Sequence, residues 1–333
     1  MACAAPVVRR AWGPVAAVLL QALCVTARAQ DAITTAYPAK PVRVVVGFAP
    51  GGGVDILARA VSQRLGETLG KPFVVENRPG AGGTAAYAGM AKAAPDGYNL
   101  LAISASYTMS AALYPNLPYD PVRDFTPITL MGAAPYSIVA HPALPVRTVA
   151  DLIALARARP GALNFASGGY GSAGHLTGEL FKRMARIQMT YVPYKGGELA
   201  LVDLIAGQVQ VVFTNLLTSL PHVRSRRVRA LAVTSPRRYE PAPEIPTVNE
   251  SGLPGYEAVS WYGWLAPAGA PPAIVTRLNR EIGALIVLPE VREKFARDGA
   301  EPLSSTPAQF SERIASDLTR WRTVVKEAGV RVQ

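Results

Sequence analysis

Apolar and polar positions along the chain change period several times, and each change marks an element. Val42-Arg43-Val44-Val45-Val46 is a β-branched run bounded by Gly47, which predicts a buried strand. A turn follows through Phe48-Ala49-Pro50-Gly51-Gly52-Gly53. Beyond it, Val54, Leu57, Ala58, Val61, Leu65 and Leu69 recur at the spacing of one helix face, and Gly70 and Pro72 close the helix. The same order returns later in the chain. Residues 163–167 read as a strand, Gly168-Gly169-Tyr170-Gly171 as a glycine loop, and Ser172 as the N-cap of a helix carrying Leu176, Leu180 and Met184 on one face. In both places a strand feeds a glycine loop that opens a helix. Uncovered backbone N–H groups and the positive end of the helix dipole make such a junction attract a small anion.

Strand and helix signals alternate over the rest of the chain. Further strands are expected at 73–76, 99–104, 126–130, 136–141, 190–194, 209–213 and 228–233. Helices are expected at about 84–93, at 148–159 and at about 198–206; in the second of these Thr148 and Asp151 have capping-box spacing. Residues 106–124 read as an irregular connection with a short helix, and 236–256 as a proline-rich excursion. Three helices close the chain, starting at Pro271-Pro272, at Pro289 and at Thr306-Pro307, the last with Gln309 as capping partner. This alternation predicts an α/β protein with parallel sheets covered on both faces. Crossings near Gly132–Pro135 and at 260–265 divide it into two lobes, 37–135 with 264–333 and 136–263. Both glycine loops then face the cleft from the carboxyl ends of strands, where open α/β sheets bind ligands.

The first 29 residues stand outside this pattern. Arg9-Arg10 precedes a mostly apolar run from Ala11 to Val25, and Ala27-Arg28-Ala29 is an A-x-A cleavage site, so a signal peptide cleaved after about Ala29 and a periplasmic protein are expected. Cleavage removes 29 of 333 residues and leaves 304; it also removes Arg9, Arg10 and Arg28, which lowers the formal charge from +11 to +8. Both cysteines, Cys3 and Cys24, leave with it, so neither disulfides nor thiol chemistry are expected. Much of the remaining positive excess lies at Arg224, Arg226, Arg227, Arg229, Arg237 and Arg238. With an export signal and no interleaved aromatics, this is read as a solvated basic face and not as a nucleic-acid site.

Catalytic motifs fail their checks. Gly169-Tyr170-Gly171-Ser172-Ala173-Gly174 matches G-x-G-x-x-G, but the next strand, Tyr191-Val192-Pro193-Tyr194, ends without the acid that a dinucleotide ribose needs. Tyr170 stands where the nucleophile elbow around Ser172 would need glycine. His175 and Glu179 are four residues apart, yet no third metal ligand accompanies them. His175 is expected to point into the cleft as a hydrogen-bond donor. Asp55, in the first turn after Gly51-Gly52-Gly53, either complements the helix dipole or acts in the site, by binding water or a ligand amine or by steering the loop. No cofactor, metal or catalytic residue is expected. A periplasmic hydrolase or lyase acting on a small organic acid is the rival reading.

These residues together resemble the solute receptors of tripartite tricarboxylate transporters, the Bug-type receptors, over the whole mature chain. The marks are Tyr37-Pro38, Phe48–Gly53 with Asp55, Glu76–Gly83, Pro95–Tyr98, Ser167–Ser172 with His175-Leu176, Val192–Gly196, Leu231–Ser235, Pro246-Thr247 and Trp261-Tyr262-Gly263. The resemblance implies a two-lobed periplasmic-binding-protein-like fold of type II, with two crossing strands as hinge and no catalysis. It implies that a small carboxylate is held by Phe48, Ala49, Gly51, Gly52 and Asp55 on one loop and by Ser167, Gly169, Tyr170, Gly171, Ser172 and His175 on the other. It places Ser104, Tyr107 and Thr214 at the ligand's second polar end. The family often has an aspartate at the position of Thr214, so a ligand ammonium loses that partner here. Arg224-Ser225-Arg226-Arg227 departs from the family's usual short Ser-Gly-Lys turn. The implied partners are the ligand and a membrane permease, or a sensor in its place, with the receptor as a monomer.

Overall fold

The computed structural model describes residues 37–114 and 116–328; the expected signal peptide lies outside the described residues. The first sheet is built from β1 (Val42–Val46), β2 (Phe73–Asn77), β3 (Asn99–Ser104) and β9 (Val259–Pro267), in the order β2-β1-β3-β9. β1 pairs in parallel with β2 and β3, and β9 runs antiparallel to β3. β4 (Phe125–Ala140) joins this sheet to a second one. Its residues 125–135 pair with β9, and its residues 136–140 pair with β7 (Val211–Asn215) and β8 (Arg229–Val233). β5 (Asn164–Ser167) and β6 (Thr190–Pro193) complete the second sheet, parallel to each other, with β5 parallel to β7. The fold is the expected two-lobed α/β arrangement.

Two boundaries differ from expectation. The strand split at Gly132 and Pro135 is one continuous strand. A register shift between Leu130 and Gly132 leaves Met131 as the extra residue of a bulge, Gly132 pairs with Tyr262, and Pro135 pairs with Val259 where the β4–β9 ladder ends. Residues 259–263, expected in the second lobe, pair with β3 and β4 in the first sheet.

Both faces of each sheet are covered. Val44 and Val46 pack against Leu57, Val61 and Leu65 of α1 (Gly53–Leu69) and Leu278 and Ile282 of α8 (Pro272–Ile286). Val45 points the other way, into a cluster with Tyr87 of α2 (Thr84–Ala91) and Phe310 and Trp321 of the last helix, α10 (Pro307–Ala328). Period-two alternation in a five-residue strand thus fills two cores. In the second lobe Ile138, Phe165 and Phe213 line one face, while Val139, Ala166 and Val212 line the other.

The helix-start signals are realised. Thr148 and Asp151 form a reciprocal capping box on α4 (Val149–Ala158), and Thr306 and Gln309 do the same at α10. Helix α9 (Pro289–Asp298) begins at Pro289. One helix was not expected: α7 (Leu216–Arg224), which carries Pro221 inside it. Its polar N-cap, Asn215, accepts the Leu217 N–H and starts the helix despite the proline.

Candidate functional site

Helices begin around one cavity between the lobes, and this organises the site. α1 presents Gly52 and Gly53 to it. α3 (Ser106–Leu113) presents Ser106, and α5 (Ala173–Ala185) presents Ser172, Ala173 and Gly174. α6 (Gly197–Ile205) brings Gly197 and Glu198, and α7 brings its cap Asn215. The cavity has a volume of about 70 Å³ and is open to solvent. Five helix N-termini aimed at one space make it electropositive without a buried cation, the condition for holding a small anion. α1, α3 and α6 have no side-chain cap, so part of their first-turn N–H capacity is available to a ligand.

The residues of the two glycine loops divide between this cavity and an adjoining hollow. From the first, Phe48 and Gly52 line the cavity; from the second, Ser172 does, and Ser104 and Thr214 line it too. Gly169 and Tyr170 turn into an adjoining hollow that also holds Lys195; Phe48 and Gly168 border both spaces. Ser167, Gly171, Ala49 and Gly51 do not line the main cavity. Ser167 Oγ sits beneath the loop, bonded to Ser172 Oγ at 3.1 Å and Tyr191 Oη at 2.8 Å.

Two side chains, Tyr107 and His175, are placed otherwise than expected. Tyr107 is fully buried away from the cleft, with its hydroxyl donating to Pro121 O at 2.7 Å and its ring among Tyr87, Tyr119 and Phe125. The short helix expected within residues 106–124 is α3, and it starts at Ser106. One residue after cavity-lining Ser106, a helix has turned by about 100°. His175 is buried and does not face the cavity. Gly171 N–H donates to its Nδ1 at 3.3 Å, and its ring stacks on Tyr191 at 4.1 Å. Burial, and secondarily the Lys182 charge, push its pKa down to about 4. The ring is a neutral acceptor that shapes the loop, and not a donor to the cleft. Glu179 is paired with Lys182 at 2.8 Å, so the His175–Glu179 pair does not converge. Among the described residues no group of three or more metal-ligating side chains comes together.

Asp55 is likewise directed into its own loop. Its carboxylate accepts the Gly51 N–H at 2.9 Å, Arg59 Nε at 3.0 Å and Asn77 Nδ2 at 2.9 Å. Asn77 also donates to Phe48 O at 3.0 Å. Of the open readings, this supports loop steering. Removing the carboxylate in Asp55→Ala strands these donors, at about 1–3 kcal/mol. Arg59 is half exposed and recovers solvent, which places the expected loss near the low end. Urea unfolding measures it; an unchanged midpoint would show that the loop holds its shape without Asp55.

Several cavity residues carry no individual expectation from the sequence: Glu198, Asn215, Tyr136, Thr218, Ser260 and Tyr262. Gly196-Gly197 before an expected helix is the same glycine-to-helix signal as the two loops, and it would have found Glu198. Burial, and then the neighbouring Asp55 charge, push the Glu198 carboxyl up to about 7. Two bonds cross between the lobes at the α5 start: Ala173 N–H donates to Ser106 Oγ at 3.1 Å, and Ser110 Oγ donates to Gly171 O at 3.0 Å.

Two α/β lobes with helix N-termini converging on the cleft between them define a solute-binding protein. The model of the tripartite tricarboxylate transporter family receptor matches residues 57–330, and the chain belongs to that family. It is 39% identical over 299 residues to protein BugT of Bordetella pertussis, covering 89% of this chain and 92% of that one. The solved structure of R. palustris Rpa4515 with adipate shares 38% identity and a TM-score of 0.86, covering 89% of this chain and 99% of that one. MatC from Rhodopseudomonas palustris with bound malate shares 32% identity and a TM-score of 0.83 over 87% of this chain and 100% of that one. The family is one of receptors, not enzymes, which leaves the hydrolase or lyase reading without support. No helix among the described residues is long and apolar enough to cross a membrane.

Proposed function

We propose that this receptor captures a small carboxylate in the cleft, with the carboxylate against the first turns of α1 and α5. The observation that carries the reading is the convergence of helix N-termini on one cavity. Phe48, Gly52, Ser104, Ser172 and Thr214 meet the ligand, while Asp55 and His175 hold the two loops in shape. The adipate and malate in the solved relatives support this ligand class. The protein is exported to the periplasm after cleavage near Ala29. The closed, loaded form then docks on the membrane permease of a tripartite tricarboxylate transporter, or on a sensor. A ligand drives closure only by binding the closed form more tightly.

A thermal-shift screen of refolded mature protein tests the reading. Aliphatic mono-, di- and tricarboxylates, aromatic acids, amino acids and the matching amides form the panel. A true ligand at 100 times its Kd adds about 2.7 kcal/mol of stability. We expect at least one acid to raise the melting temperature by several degrees while its amide does not. An amide that works as well as its acid would sink the anion grip.

A further inference from the structure

Three buried polar atoms in the cavity have no hydrogen-bond partner: Glu198 Oε1, Asn215 Nδ2 and Tyr262 Oη. Their side chains stand around the start of α1. A β-carbon built on Gly53 would lie 2.7 Å from Tyr262 Oη and 2.9 Å from Asn215 Oδ1, and one built on Gly52 would lie 3.3 Å from Glu198 Oε2. The start of α1 is therefore flanked by the Tyr262 hydroxyl and the Asn215 side chain at Gly53 and by the Glu198 carboxyl at Gly52. Asn215 Oδ1 is occupied by the Leu217 N–H, which leaves its amide hydrogens for the cavity. Unpaired buried polar groups are costly and mark positions that a ligand completes.

We infer that Glu198 is a specificity-determining residue, selecting carboxylates that carry a hydroxyl or an ammonium on the carbon next to the gripped carboxylate. Asn215 and Tyr262 donate to the carboxylate oxygens over Gly53. The Glu198 carboxyl, whose Oε2 borders Gly52 and whose Oε1 has no partner, takes the neighbouring donor. Among the described residues the charge that acts on Glu198 is that of Asp55, another acid, so a second ligand carboxylate placed there would meet repulsion. The inference rests on the carboxylate reading above and adds the chemistry of the adjacent carbon.

Isothermal titration of the mature protein with matched trios tests it: propionate, lactate and alanine; succinate, malate and aspartate; adipate, 2-hydroxyadipate and 2-aminoadipate. In the trio that binds best, the hydroxy or amino member should bind at least ~10-fold more tightly than the plain acid, the value of one charge-assisted hydrogen bond. In Glu198→Ala that ratio should fall to within ~3-fold. Glu198→Gln separates the two donors, since an amide oxygen still accepts from a hydroxyl but does not neutralise an ammonium. A plain acid that binds as tightly as its substituted partners overturns the selector, as does a ratio that survives Glu198→Ala. Silence across all three trios, with no member of the wider acid panel active, overturns the carboxylate reading itself, and the selector falls with it.

Discussion

Gly174→Ala is expected to destabilise the protein by about 3 kcal/mol, the top of the range for overpacking, and to abolish acid-induced stabilisation. Gly174 lies in the first turn of α5, where the helix crosses β7 at the closest approach its backbone allows. A β-carbon there would sit 2.3 Å from Phe213 O and 2.9 Å from Ser167 Cβ. Phe213 O belongs to a strand paired on both sides and cannot move away. The helix start must retreat instead, taking Ser172 and Ala173 out of the cavity and pulling on the Ala173–Ser106 bond that joins the lobes. Stability and ligand grip are lost together because one backbone contact sets both. Gly89→Ala is the control. It sits in α2 with nothing within 4 Å of the added methyl, so it should gain about 0.5–1 kcal/mol from helix propensity alone. Urea midpoints for the two variants are expected to move in opposite directions. Equal shifts would mean that the α5–β7 approach has slack.

How far the sequence could be read follows from how local each feature is. The strand–glycine–helix units were legible because their signals lie within thirty consecutive residues and depend on period and turn chemistry, which neighbours rarely override. The capping boxes at Thr148 and Thr306 are of the same kind. Tyr107 was misplaced because its direction depends on whether α3 begins at Ser106, a single helical step that no local pattern fixes. β4 was split because Gly132 and Pro135 read as breakers; a bulge and pairing with β9, more than 120 residues away in sequence, override them. α7 was hidden by Pro221 for the same reason. Asp55 and His175 were picked out by correct signals, a first-turn acid and a first-turn histidine. Their partners, Asn77 at 22 residues away and Tyr191 at 16, come from other strands and turn both side chains inward. The orphaned atoms on Glu198, Asn215 and Tyr262 are legible only once three distant segments meet at Gly52-Gly53.

The second large effect is a pH profile that two buried groups, His175 and Glu198, shape in opposite senses. His175 is held neutral, with its folded pKa pushed down to about 4 from 6.5. Between those values the unfolded chain binds a proton that the folded chain refuses, so this contribution to stability is whole above pH 6.5 and lost as pH falls toward 4. At 1.36 kcal/mol per unit the loss is about 3 kcal/mol. Glu198 is raised to about 7 from 4.5. Its contribution is whole below pH 4.5 and lost as pH rises through 7, so it offsets His175 over most of the same window. The unaltered protein should therefore show a shallow profile between pH 4.5 and 6.5. Glu198→Gln removes the compensating group and should lose about 3 kcal/mol on acidification from pH 6.5 to 4. His175→Gln, which keeps an acceptor for the Gly171 N–H, should instead gain stability over that descent. Combining both changes should bring the profile back nearly parallel to that of the unaltered protein between pH 4.5 and 6.5, since His222, Glu301 and the surface carboxylates are common to all four proteins and cancel in the differences. Urea unfolding at half-unit pH steps measures each curve. Parallel curves for His175→Gln and the unaltered protein would show that the imidazole titrates freely, and the neutral-acceptor role at the second loop would then be abandoned.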